Sequence, residues 1–266
     1  VTDPILVQRD GPVETWTLNR PELRNPISDH DMIDALVACA DRVNRDREVR
    51  AVVITGAGSA FSAGANLNQV RSDEVPFGGP LSHARDGYRH GIQRIPLALH
   101  GCEVPLIAAI NGAAVGAGFD LALMCDVRVA AESATFAESF VRVGLIPGDG
   151  GAWLLPRVIG LARAAELTLT GAAIDSRTAL DWGLVSRVVP AAELLRTAHS
   201  VADVIAANPP ATVRMAKRLL REQDHQSLGS HLEMAAALQP LAQRSADHSE
   251  AVDAILAKRP PVFTGL

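Results

Sequence analysis

Short apolar runs, each closed by glycine or asparagine, alternate along roughly the first 160 residues with stretches whose apolar positions recur every three or four residues. Val13 to Leu18 has strand character, and Leu18-Asn19-Arg20-Pro21 leads into a polar turn. Ser28 makes a capping pair with Asp31, three residues on, and Met32, Ile33, Leu36, Val37, Ala40 and Val43 follow at helical spacing. Ala51-Val52-Val53-Ile54-Thr55, closed by Gly56, is continuous and β-branched, the pattern of a parallel strand buried on both faces. Leu106 to Ile110, closed by Asn111-Gly112, predicts a second such strand. Asp126 to Ala130 predicts a third, with a further short strand near Thr135-Phe136. Strands alternating with helices argue an α/β fold.

From about Ala162 the pattern becomes mostly helical. Pro209-Pro210 opens a helix well, because proline's missing donor is harmless in a first turn, and His231 to Ala242 and Glu250 to Lys258 predict two more. Helices in such an appendage need a partner surface, and a neighbouring subunit is one candidate. The least regular stretch is Asn66 to Gln93, which holds Pro76, Pro80 and Gly78-Gly79. It reads either as a functional loop or as a tolerated surface insertion.

Composition narrows the function classes. With 48% hydrophobic and 21% charged residues, the 266-residue chain is an ordinary globular protein and not a disordered one. A net charge of −5 without a basic block argues against nucleic-acid binding. No apolar run approaches a membrane span, and Val1-Thr2-Asp3-Pro4 has no secretory character. Cys39, Cys102 and Cys125, odd in number and widely spaced, suggest a reducing compartment, hence the cytoplasm, and no zinc framework.

Three glycine clusters follow strand-like runs: Gly56-Ala57-Gly58, Gly116-Ala117-Gly118, and Gly148-Asp149-Gly150-Gly151. None completes a dinucleotide fingerprint, no P-loop lysine follows, and no Gly-x-Ser-x-Gly elbow exists, so NAD enzymes, NTPases and serine hydrolases lose weight. Gly116-Ala117-Gly118 precedes the helix-like run Phe119 to Met124, where glycines serve either close packing or the approach of backbone N–H groups to a ligand. The small residues of Phe61-Ser62-Ala63-Gly64-Ala65-Asn66-Leu67 would expose N–H groups in the same way. Two such donors from two turns could together hold one developing oxyanion.

These segments resemble the crotonase superfamily, the enoyl-CoA hydratase/isomerase family. The resemblance rests on Leu18 to Asn25, Val53 to Leu67, Pro105 to Asp126 and Phe136 to Gly151, and continues weakly from Leu169 to Val185. It implies an α/β spiral of ββα units over residues 1–195 and a helical region over 196–266 that packs into a homotrimer or a dimer of trimers. It implies an acyl-CoA thioester substrate, with coenzyme A part of the substrate and neither metal nor redox cofactor. By position, the oxyanion donors are the backbone N–H groups of Ala65 and Ala117, the latter requiring a negative φ. The implied CoA contacts are Arg24, Ala63, Asn66, Leu67, Lys258 and Phe263, the last two reaching from a neighbouring subunit if not from the same chain.

The departures from the family pattern bear on the chemistry. Hydration needs one group to activate water and one to protonate Cα. Of the two glutamates that family hydratases use, this chain has Asp120 at the first position, shorter by one methylene, and Phe140 at the second. Phe140 cannot transfer a proton and falls to the acyl pocket. Asp149 and Glu138 are the candidates to compensate, preferred in the pairs Asp120 with Asp149 and then Asp120 with Glu138, while Asp126 resembles a structural aspartate. The expectation is an enoyl-CoA hydratase. The alternatives are a double-bond isomerase using a single or displaced acid, and a non-catalytic acyl-CoA binder.

Overall fold

The computed structural model describes residues 3–72, 75, 80–223 and 226–265. Two sheets form its frame. In the larger, β1 (Ile5–Asp10) turns back on β2 (Val13–Leu18) as an antiparallel hairpin. The sheet then runs in parallel through β3 (Ala51–Gly56), β5 (Leu106–Ile110), β7 (Val127–Ala131) and β10 (Arg187–Val189). The smaller sheet takes β4 (Ala60–Ser62), β6 (Ala113–Val115) and β8 (Thr135–Ala137) in parallel, with β9 (Ala173–Asp175) antiparallel at its edge. Each of β3, β5 and β7 therefore hands the chain to a short strand of the second sheet, and helices follow. This is the expected spiral of ββα units.

The buried strands β3 and β5 lie where the continuous apolar runs place them, with every residue buried. Helix α1 (His30–Arg45) presents Met32, Ile33, Leu36, Ala40 and Val43 to the core. Its cap corrects the sequence reading: Asp29, not Ser28, accepts the Met32 N–H, at 3.0 Å. Ser28 is buried instead, and its hydroxyl accepts the N–H of Asn66 at 3.3 Å. The stretch expected to be irregular holds α2 (Leu67–Arg71), capped by Asn66, and α3 (Leu81–His90), with α4 (Arg94–His100) after it. Pro76 and Gly78-Gly79, singled out in that stretch, lie outside the described residues.

Helix α5 (Ala117–Met124) is buried on all sides, as its unbroken apolar character requires. Its Phe119 packs against Phe136 of β8, both wholly buried, each contributing about 1.5–3 kcal/mol by the area removed from water. α6 (Gly151–Ile159) and α7 (Leu161–Thr170) follow, then β9, α8 (Ser176–Asp181) and β10. This part is mostly helical, as expected, and adds two strands the pattern did not predict, because three residues are too few to display a period of two. Helix α9 (Leu194–Ala206) repeats an apolar residue every fourth position, a leucine followed by three alanines. Leu194, Ala198, Ala202 and Ala206 lie on the face of the large sheet formed by Val13, Ala51, Val53, Ile107, Ala109, Val129 and Ala131.

Helix α10 (Pro210–Glu222) is clamped to the core by charge. Asp126 accepts the Leu106 N–H at 2.7 Å and pairs with Lys217 at 2.7 Å and Arg221 at 3.0 Å. Asp126 is thus structural, as the resemblance implies. By contrast α11 (Leu228–Gln243) has no buried residue, and α12 (Ala246–Ala257) leaves Ile255 76% and Leu256 77% exposed. The three cysteines are free. Among the described residues no helix is long and apolar enough to cross a membrane.

Candidate active site

Two backbone turns meet at the carboxyl ends of β4 and β6. Gly64 takes φ +83°, and a Cβ there would overlap the Val115 carbonyl oxygen while lying 3.1 Å from Ala117 N and 3.4 Å from Gly118 N. Only glycine lets the first turn lie this close to the start of α5. Gly116 takes φ +53°, and its N–H is fixed by the Ala137 carbonyl at 2.8 Å. Ala117 is not among the residues with positive φ, which meets the condition its side chain sets. The N–H groups of Ala65 and Ala117 have no hydrogen-bond partner among the described residues. Ala117 opens α5, so its N–H belongs to the unsatisfied first turn, where the helix dipole favours negative charge.

Asp120 lies one helical turn beyond Ala117, on the same side of α5. Its Oδ2 accepts the N–H of Gly151, the first residue of α6, at 3.0 Å. A Cβ at Gly151 would overlap both Asp120 Oδ1 and Glu138 Oε1, so a residue without a side chain is needed for the two carboxyl groups to come together over the start of α6. Asp149, two residues before Gly151, shares the same surroundings. The structure thus brings together all three acids singled out in the sequence. They differ in access: Asp120 and Glu138 are wholly buried, whereas Asp149 keeps 5% of its surface exposed.

Burial dominates the proton affinities. It raises the Asp120 carboxyl well above the usual carboxylate range, aided by the charges of Glu138 and Asp149 and opposed by the Gly151 N–H. Burial lifts Glu138 to about 7, the Asp149 charge adding to it while the hydrogen bond with Asp120 works against it. Burial alone lifts Asp149 to about 7. From about pH 4 to about 7 the folded protein therefore holds more protons here than the unfolded chain, so stability falls as pH rises through this window. Thermal unfolding is expected at a higher temperature at pH 5 than at pH 8. Asp149→Asn is expected to flatten that slope, and an unchanged slope would contradict the assignment.

Other residues complete the surroundings. The Phe140 ring stands 3.7–3.9 Å from the position a Cβ would take at Gly116, so an aromatic face borders the second turn. Tyr88, the chain's one tyrosine, was missed by sequence reading. Its ring lies 3.2 Å from the corresponding point on Gly148, and burial, followed by the Asp149 charge, raises its phenol. Gln93 steadies the turn by donating to the Gly148 carbonyl at 3.0 Å. Both residues come from the segment that showed no periodicity, so no signal pointed to them. Among the described residues no set of His, Cys, Asp and Glu is arranged to hold a metal ion.

The expected CoA contacts divide into two groups. Arg24, Ala63, Asn66 and Leu67 cluster beside the first turn. The Ala63 N–H is taken by the Arg24 carbonyl at 2.8 Å, and the Asn66 side chain caps α2, leaving the exposed Arg24 and Leu67 side chains free to meet a ligand. Phe263 lies elsewhere: its carbonyl accepts from Arg50, which precedes β3, whereas the turn follows the other end of that strand. Six strand residues span about 20 Å, so the chain's own Phe263 is at the wrong end of the sheet. Lys258 caps the end of α12 beside the same tail.

The comparisons agree with this geometry. The profile of the Enoyl-CoA hydratase/isomerase family matches residues 9–265. The chain is 39% identical to 1,2-epoxyphenylacetyl-CoA isomerase of Escherichia coli over 98% of both chains, and 34% identical to the 2,3-dehydroadipyl-CoA hydratase of the same organism, again over 98% of both. The crystal structure of an enoyl-CoA hydratase from Bacillus anthracis superposes with a TM-score of 0.92 at 34% identity, covering 99% of this chain and 100% of the other. With paired strands feeding two sheets and a family match along almost its whole length, this chain belongs to the enoyl-CoA hydratase/isomerase, or crotonase, family of enzymes acting on acyl-CoA thioesters.

Proposed function

We propose that the protein is an acyl-CoA isomerase that shifts a double bond by moving one proton between carbons of the acyl chain. The thioester oxygen lies between the N–H groups of Ala65 and Ala117, which stabilise the enolate formed when Asp149 removes a proton; Asp149 then returns the proton further along. The observation that carries this reading is that, of the three clustered acidic residues, Asp149 alone keeps any exposed surface, 5% of the residue. Hydration calls for two acids that both reach a water, and the place of the second is filled by Phe140 against Gly116. A proton affinity near neutrality suits a group that must both take and give a proton.

The hydratase reading is favoured by the 2,3-dehydroadipyl-CoA hydratase relative and by the number of acids present. Incubation with trans-2- and 3-enoyl-CoA thioesters of several lengths, followed by chromatography and mass detection, separates the two. A shifted double bond at unchanged mass is the expected result, and a gain of one water would establish a hydratase. Binding without either change would establish a non-catalytic binder.

We also propose a homotrimer, or a dimer of trimers, as the working assembly. Exposed Ile255 and Leu256 on α12 and the unburied α11 are the faces it would cover, and assembly would bring Lys258 and Phe263 of one copy toward the CoA of another. Light scattering is expected to give a multiple of three chains, and the double substitution Ile255→Lys with Leu256→Lys to shift it toward the monomer. A wild-type monomer at micromolar concentration would contradict the assembly.

A further inference from the structure

The cluster contains more acid than a one-proton reaction needs. Three of the four carboxyl oxygens of Asp120 and Glu138, namely Asp120 Oδ1 and both oxygens of Glu138, find no N–H or O–H donor outside the pair among the described residues. The fourth, Asp120 Oδ2, has the Gly151 N–H. Both side chains are wholly buried, and they touch each other. The groups facing them from each packed element are the α6 N–H of Gly151, the carboxyl of Asp149, and beyond it the Tyr88 phenol on α3. None of these is a cation. Two buried carboxylates in contact without a counter-charge repel strongly, and the arrangement that relieves them is a proton held between the two.

We propose that Asp120 and Glu138 share one proton as a permanent acid–carboxylate pair, and that Glu138 is thereby a positioning residue that sets the single negative charge standing behind Asp149. The Asp120 O–H donates to the Glu138 carboxylate, and the Gly151 N–H binds the other Asp120 oxygen. No proton passes from the pair to the acyl chain. Its fixed charge adds to the burial that already lifts Asp149, while the hydrogen bond stops Asp120 from swinging toward the substrate. The inference rests on the reading of Asp149 as the proton carrier, but the pair itself can be tested without turnover.

The test is the infrared carboxyl spectrum of the intact protein, with aspartate and glutamate carrying a carbon-13 side-chain label in turn. At about pH 9, where Asp149 is ionised, the wild type is expected to retain one protonated, hydrogen-bonded carboxyl band that responds to labelling. Either single variant, Asp120→Asn or Glu138→Gln, is expected to lose the band, because the amide N–H takes the place of the shared proton and the remaining carboxylate ionises. The double variant removes the charge, and the Asp149 titration is expected to fall by about one pH unit or more relative to either single variant. Absence of the band in the wild type would overturn the proposal, and that spectrum requires no variant to fold. Persistence of the band in Glu138→Gln would overturn it too. If Asp149→Asn proved fully active while the band behaved as expected, the reading of Asp149 would fail and the pair would stand.

Discussion

Asp149→Asn is expected to lower kcat for double-bond shifting about a thousandfold, within the range by which positioned general acid–base groups accelerate reactions. The amide is close in size to the carboxyl and fits the same turn between Gly148 and Gly150, so folding should survive. Asparagine cannot accept a proton from carbon, so the loss should fall on kcat, with KM for the acyl-CoA changed little. In the wild type kcat/KM should rise with pH through about 7, because the ionised form of Asp149 is the reactive one. Steady-state kinetics between pH 5 and 9 reads both effects. A variant within tenfold of the wild type would place the chemistry on another group.

The second large effect concerns a residue without a side chain. Gly64→Ala is expected to lower kcat by about a hundredfold to a thousandfold, the loss seen when one oxyanion donor is withdrawn. Alanine at φ +83° is strained, and its Cβ would overlap the Val115 carbonyl oxygen, so the turn carrying the Ala65 N–H must move away from α5. Ala65→Gly, which leaves the main chain in place, should cost far less. Binding of free CoA should persist in both variants, because the exposed Arg24 and Leu67 side chains are untouched. Equal activity of Gly64→Ala and the wild type would remove the oxyanion role from this turn.

Much of this site was legible in the residues, for identifiable reasons. The buried parallel strands β3 and β5 announce themselves because both faces are covered, which forces continuous apolar runs closed by turn residues. The three acids stood out because Asp120 interrupts an apolar helix and Phe140 occupies a place where the resemblance calls for an acid. Their meeting could not be read, since it depends on Gly151 opening α6 with no Cβ between Asp120 and Glu138. β1 escaped notice because it lies at a sheet edge with one buried residue in six and so shows no alternation. Tyr88 escaped because it comes from a segment with neither period nor motif. The cap of α1 was misplaced by one residue, since Ser28 and Asp29 are both good cap residues and only the three-dimensional partner of each distinguishes them.

The Phe140 ring beside Gly116 also bears on specificity. If the proposed oxyanion turn holds the thioester, the Phe140 ring beside it would favour a flat, unsaturated acyl group over a flexible saturated one, because stacking on a fixed ring costs little ordering.

The most direct measurement follows a single hydrogen. A 3-enoyl-CoA carrying deuterium at C2 is converted by the wild type in ordinary water, and the product is read by mass. Transfer by one carboxyl group, Asp149, predicts a 2-enoyl-CoA of unhydrated mass that retains part of the deuterium at C4. A 2-enoyl-CoA with no deuterium at C4 would mean that the hydrogen delivered to C4 does not come from the group that took the one from C2, and would contradict the single-carrier mechanism.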